Sequence, residues 1–352
     1  MRGLIRGVLA CGRAISFHLF MKSLLILGTL TLFAPVLFAA DAVSAANAPS
    51  TPAKAEAETA KPAPVKPAAK PAELPVPTPT YANVSYGPHE RNVLDVWLAK
   101  SDKPAPLVVY IHGGGWLSGD KKSAAAATVK YMLDHGVSVA AINYRYSTIA
   151  PLPAPVHDAA RAIQFLRSKA GEWNFDKARV AAFGGSAGAC TSLWLNYHDD
   201  LANPKSSDPV ARESSKLCAA VGFSGQTSID PKTIVPWVGE QVMKHAMISR
   251  AVGATDGPDA LARYEEFQKL YQEFSAYTHV DKNDPPVLLD YPKDGPLPAP
   301  DPGAAIHHAN FGKKLKEKAD SVGAQATLQI GGPKSPGYVY PNEFLLRYLK
   351  PR

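Results

Sequence analysis

Ser186 stands between two glycines in Gly184-Gly-Ser-Ala-Gly188, a Gly-x-Ser-x-Gly spacing that follows directly on the apolar run Arg179-Val-Ala-Ala-Phe183. A serine hydroxyl becomes a nucleophile when a sharp strand-to-helix turn lifts it above a sheet. Glycines at 184 and 188 remove the side chains that would collide in that turn. The same spacing also suits a glycine-rich turn whose serine caps a helix. A second stretch narrows the choice, because the apolar run Leu107–Ile111 leads into His112-Gly-Gly-Gly-Trp116. Acyl transfer needs backbone N–H donors about 3 Å from the oxygen that becomes charged. The bare backbone of Gly113 and Gly114, with the N–H of Ala187 beside the serine, supplies such donors.

These ordered motifs resemble the α/β-hydrolases, close to the bacterial acetyl-esterase, hormone-sensitive-lipase-like and feruloyl-esterase-type carboxylesterases. The resemblance covers roughly the last three quarters of the chain. It implies a mostly parallel central sheet flanked by helices, with a helical insertion after the strand that follows the nucleophile helix. It also implies the chain order serine, acid, histidine. Asp284-Pro-Pro-Val-Leu-Leu289 is similar to the family's penultimate strand, so the acid belongs just beyond it. Asp294 in Tyr291-Pro-Lys-Asp-Gly295 fits best and Asp290 is the alternative; an Asp-Gly turn is the bland reading of Asp294.

The chain departs from the family at the base. After the expected last strand, Ala326–Ile330, the matching loop Gly331-Gly-Pro-Lys-Ser-Pro-Gly337 holds no histidine, and none follows His308. A serine needs an adjacent base, so three readings stay open: His307 or His308 acts from the preceding helix start, Lys334 acts instead, or hydrolysis is lost. The expected set is Ser186, Asp294 and His308, with Gly113, Gly114 and Ala187 as the oxyanion hole and no metal or cofactor. His157 precedes the serine and starts a helix, which sets it outside the family order; Asp158 beside it is expected to brace loops beneath the site.

The elements that must position these groups are legible as periodic runs. Val93–Leu98 alternates as part of a strand pair that opens the sheet, and Leu107–Ile111 is continuously apolar, as a strand covered on both faces requires. Val137–Tyr144 and Leu217–Phe223 are further strands, while Ala124–His135, the run with Ala159, Ile163, Leu166 and Ala170, Ala187–Tyr197 and Ile306–Val322 read as helices. Ser224–Tyr277 is a mixed, helix-rich insertion holding Trp237, Met243, Met247, Tyr264, Phe267 and Tyr271. His198-Asp199-Asp200 reads as a solvated helix end, since a metal site would need a further ligand that the spacing does not show.

Residues 1–48 carry Arg2, Arg6, Arg13 and Lys22, then an apolar block from Leu24 to Ala40 and a run of small residues. That is the pattern of a secretory signal peptide. Met1 and Met21 are both possible starts, cleavage fits after Ala40 or a few residues later, and an uncleaved membrane anchor is the alternative. Residues 49–80, rich in Ala, Pro and Lys, should form an extended linker, which leaves 81–352 as the α/β-hydrolase domain.

A chain of 352 residues with 46% hydrophobic content can bury one large core. Part of the net charge of +7 sits in the leader and linker, and no basic cluster interleaves with aromatics, which argues against nucleic acid. Cys190 and Cys218 read as buried free thiols. The expected function is an exported, secreted or periplasmic serine esterase or lipase-like enzyme acting on a small-molecule or polysaccharide-linked ester. The alternatives are a weak or silent homologue that binds ligand or polysaccharide, and a serine peptidase.

Overall fold

The computed structural model describes residues 75–350. The expected signal region, most of the expected linker and the last two residues lie outside the described residues. The eight strands are β1 (Tyr81–Ser85), β2 (Val93–Trp97), β3 (Ala105–Ile111), β4 (Ser138–Ile142), β5 (Phe175–Gly185), β6 (Ala220–Phe223), β7 (Val287–Tyr291) and β8 (Ala326–Ile330). They form one sheet in the order β1-β2-β4-β3-β5-β6-β7-β8. The β1–β2 and β2–β4 pairs are antiparallel and every other pair is parallel. This is the mostly parallel, helix-flanked sheet that the sequence motifs led us to expect.

Side chains alternate across each buried strand, so the sheet feeds two cores. On one face Leu107, Val109 and Ile111 of β3 join Val180 and Ala182 of β5 and Leu289 and Tyr291 of β7, beneath helices Ala154–Ser168, Ala187–Tyr197 and Asn310–Val322. On the other, Val108, Ala181, Phe183 and Leu288 meet helices Ala126–Asp134 and Pro341–Leu349. Burial on both faces explains why these strands read as unbroken apolar runs.

From β3 the chain moves outward to β4 and then returns to place β5 on the other side of β3. The carboxyl ends of β3 and β5 therefore adjoin at a reversal of strand order, where open α/β sheets bind their ligands. The His112-Gly-Gly-Gly turn leaves β3 there, and Ser186 leaves β5. The insertion folds into helices Pro231–Val238, Ala246–Ala251, Gly257–Ala262, Tyr264–Glu273 and Ala276–His279. The expected helix Ile306–Val322 is instead two helices, Pro302–Ile306 and Asn310–Val322, with His307, His308 and Ala309 in the break. Pro302 and the Asp301 cap start the first helix, and Ile306 closes it. Cys190 and Cys218 are free thiols.

Just after the glycine turn, Lys121 is almost fully buried and its Nζ lies 2.6 Å from Asp95 Oδ2 on β2. The other oxygen of Asp95 accepts the Asn83 N–H at 2.7 Å. Replacing Lys121 by Met strands a buried carboxylate, and losing one partner of such a pair costs about 3–5 kcal/mol. Urea denaturation at pH 7 should show a loss of that size, and the Lys121→Met/Asp95→Leu pair should recover part of it.

Candidate active site

Ser186 has φ 53° and ψ −122°, a strained backbone for a residue with a side chain. Its N–H donates to the Phe223 carbonyl at the end of β6 at 2.9 Å, and its carbonyl accepts the Cys190 N–H at 2.9 Å. The turn packs so tightly on β3 that a Cβ at Gly188 would sit 2.1 Å from the Ile111 carbonyl oxygen. The spacing of the Gly-x-Ser-x-Gly motif is thus a close backbone approach, and the serine is forced up at the start of helix Ala187–Tyr197.

Gly113 lies against this elbow: a Cβ there would fall 2.7 Å from Gly185 O and 3.6 Å from Ser186 Cβ. Gly114 follows with φ 102°. The turn is braced from below by His112, which is wholly buried and stacks on Tyr144 with ring centroids 4.2 Å apart. The Tyr144 hydroxyl donates to His112 O at 2.8 Å, and Trp116 Nε1 donates to Thr191 Oγ1 at 3.0 Å, tying the turn to the nucleophile helix. Asp158 fills its expected bracing role, accepting both the backbone N–H and the guanidinium of Arg145.

The base is where the structure corrects the expectation. His307 Nε2 lies 3.0 Å from Ser186 Oγ, within hydrogen-bond reach. His308, the expected partner, is buried; its Nδ1 accepts the Asn310 N–H at 3.0 Å and its ring packs beside Gly295. The two histidines occupy non-helical backbone between helices, so neighbouring side chains diverge: one caps a helix and the other reaches the cleft. Lys334 is exposed in a turn of the loop after β8.

Asp294 is likewise displaced from the expected role. Its carboxylate pairs with Lys313 Nζ at 2.6 Å, and that ammonium holds it below the ordinary carboxylate range. Asp290 is buried on β7 and accepts the Tyr338 hydroxyl at 2.7 Å. The Nδ1 of His307 instead lies 3.1 Å from the Gly303 carbonyl. Donation of Nδ1–H to that carbonyl leaves the Nε2 lone pair aimed at the serine.

Three positions that spacing did not single out hold the base in place. The buried Gln226 donates to Ile306 O at 2.6 Å, Thr227 donates to Phe311 O at 2.8 Å, and Asn310 Nδ2 donates to Trp237 O at 2.7 Å. All three join the histidine segment to the insertion. The only sequence signal of Gln226 and Thr227 is position, just after β6, and that of Asn310 is its place two residues beyond His308. His245, from the insertion, stands with its ring centroid 6.3 Å from that of His307, and burial followed by the charge of His307 keeps it below the usual imidazole range. His307, His308 and Ser224 line a cavity of about 430 Å³, shared with Pro292–Pro296 and with Asp301 and Gly303.

The sheet order, the elbow and the adjoining glycine turn define an α/β-hydrolase fold. The family model described as BD-FAE matches residues 94–296, more than half of the chain. The chain belongs to the BD-FAE family. It is 30% identical to a probable isoprenylcysteine alpha-carbonyl methylesterase, ICMEL1, of Arabidopsis thaliana over 41% of this chain and 30% of the relative. It is 26% identical to the probable carboxylic ester hydrolase LipM of Mycobacterium tuberculosis over 59% of this chain and 46% of the relative. The chain thus spans less than half the length of either of these curated relatives. A solved structure, a truncated form of a carbohydrate esterase from gut microbiota, is 25% identical and superposes with a TM-score of 0.56 over 70% of this chain and 85% of that one.

Burial pushes the His112 imidazole down to about 4, with the Arg91 guanidinium acting in the same direction. An unfolded histidine titrates near 6.5. The unfolded chain therefore binds a proton between these values that the folded chain refuses, and the stability from neutral His112 is complete above about pH 6.5 and lost as pH falls through about 4. Denaturation from pH 7 to 4 should show about 3 kcal/mol more loss in the parent than in His112→Asn.

Proposed function

We propose that the protein is a serine carboxylesterase that works through a Ser186 acyl-enzyme, with His307 as its base. The observation that carries this reading is the 3.0 Å contact between His307 Nε2 and Ser186 Oγ. Ser186 Oγ attacks the ester carbonyl carbon while His307 Nε2 takes the hydroxyl proton. The carbonyl electrons move to oxygen, and the N–H groups of Gly113, Gly114 and Ala187 hold the resulting oxyanion. Collapse breaks the ester C–O bond and the departing alkoxide takes the proton from His307. Water then attacks the acyl-enzyme with His307 as base again, releasing the acid and restoring the serine.

The substrate is a small-molecule or polysaccharide-linked ester, a reading supported by the carbohydrate esterase among the similar structures. The insertion acts as a cap over the acyl group: Met247 packs against Gly115, where a Cβ would meet Met247 Cβ at 3.4 Å. The arginines and apolar block of residues 1–48 support work after export.

A fluorophosphonate probe should label the protein, and Ser186→Ala should abolish labelling. On p-nitrophenyl acetate, His307→Ala should lower kcat/KM by about 10²–10⁴-fold, the range for a lost acid–base group. Asp294→Ala should leave it within a few-fold. An unlabelled but folded protein overturns the esterase reading; an unaffected His307→Ala overturns the choice of base alone.

A further inference from the structure

At the far end of the nucleophile helix from Ser186, His198, Glu273 and His279 converge, with one donor atom from each within 4.8 Å of the others. His198 follows the last residue of helix Ala187–Tyr197, Glu273 ends Tyr264–Glu273, and His279 ends Ala276–His279. The end of the nucleophile helix thus meets the ends of two consecutive insertion helices at one half-buried point.

Each imidazole at this point has one nitrogen against a backbone carbonyl. His198 Nδ1 lies 2.8 Å from Asp199 O, and His279 Nε2 lies 2.6 Å from Glu273 O. A neutral ring so placed gives one N–H to a backbone carbonyl and keeps a lone pair on its other nitrogen, the arrangement that fixes metal-binding histidines. The lone-pair nitrogen of His198, Nε2, then faces Glu273 Oε1 at 2.8 Å, acceptor against acceptor. Such a contact needs a cation between or beside the two groups, or a proton on the ring.

The rings are also held in position. His198 stacks on Trp194 with centroids 4.1 Å apart, and His279 meets both His198, at 4.8 Å, and the edge of Trp194. Trp194 Nε1 donates to Glu273 O at 2.7 Å, and Lys216 Nζ donates to the His198 carbonyl at 2.9 Å. Glu273 and His279 line a cavity of about 550 Å³ that gives an ion a path in.

We propose that His198 Nε2, His279 Nδ1 and the Glu273 carboxylate form a structural Zn²⁺ site that clamps the insertion to the nucleophile helix. Two imidazoles and a carboxylate suit zinc, whose nitrogen ligands stand at about 2.0–2.1 Å. Tetrahedral ligands at that radius are about 3.3 Å apart, and each of the three residues brings one ligand atom within 4.8 Å of the others. The fourth position is left to water. Nothing in this site touches the reacting groups, and the proposal stands apart from the esterase reading.

The test uses the full chain freed of metal with a chelator and then titrated with ZnCl₂ by calorimetry and thermal melting. One equivalent should bind and raise Tm. Co²⁺ should give the visible absorption of a tetrahedral site. His198→Asn and His279→Asn should each weaken zinc binding by more than about 100-fold, beyond the loss typical of an outer partner. Glu273→Gln, which keeps the side-chain shape, guards against a fold lost with a histidine, and it should weaken binding too. His135→Asn, at an exposed histidine elsewhere, should change neither binding nor the Tm shift. Absence of binding, or binding that survives in folded His198→Asn and His279→Asn, overturns the site and leaves a His198–Glu273 ion pair.

Discussion

The backbone of Ser186 sits in a region that residues with side chains avoid, at a cost on the order of 1–3 kcal/mol. The surrounding structure must over-determine that conformation, and it does so by proximity. β3 approaches the start of the nucleophile helix so closely that only glycine fits at Gly188, and the Ser186 N–H is anchored to the end of β6. The same approach brings the glycine turn after β3 alongside the serine, so strain and oxyanion geometry have one origin. The bond from Trp116 to Thr191 then locks the turn to the helix. Relaxing the elbow would separate the nucleophile from the turn as well.

The base reaches this elbow by a different route. Nothing in the sheet carries His307; it stands in a break between two helices, and three hydrogen bonds between the insertion and its neighbours fix the residues around it. Gln226 and Thr227 follow β6 directly, so the segment that leaves the sheet to build the cap also holds the base. The insertion is therefore joined to the segment that carries His307, and clamping its far end to the nucleophile helix would steady that segment.

Sequence patterns were most informative where a side-chain pattern is imposed by burial. The two-faced strands β3 and β5, the nucleophile helix Ala187–Tyr197 and the order of elements all follow from apolar runs and glycine signals. The break at His307 did not, because no proline or glycine separates Ile306 from Asn310, and the run leads straight into the apolar face of Phe311 and Leu315. Asp294 misled for an allied reason: an aspartate after the seventh strand has the family's position, but Lys313 from the second helix takes it. Which of two adjacent histidines faces the cleft depends on backbone direction at a helix end, and residue identity carries no record of that. The cluster of His198, Glu273 and His279 was equally hidden, since its ligands are 75 and 6 residues apart along the chain.

The missing carboxylate is a smaller defect than the chain's departure from its family suggests. An aspartate in a triad both sets the tautomer of the imidazole and stabilises the imidazolium, and losing the first function accounts for a large part of the roughly 10⁴-fold loss when it becomes asparagine. Here the Gly303 carbonyl sets the tautomer. It is available because the five-residue helix ends at Ile306, and the His307 N–H turns to Ala305 O, leaving the carbonyl four residues back to the ring. What remains lost is the difference between a charge-assisted and a neutral hydrogen bond, about 1–2 kcal/mol or roughly tenfold in rate. Helix-end carbonyls also favour a cation at the following residue, which offsets part of that difference. His307 thus holds Nε2 toward Ser186 Oγ with a backbone carbonyl, in place of a carboxylate, on its other nitrogen.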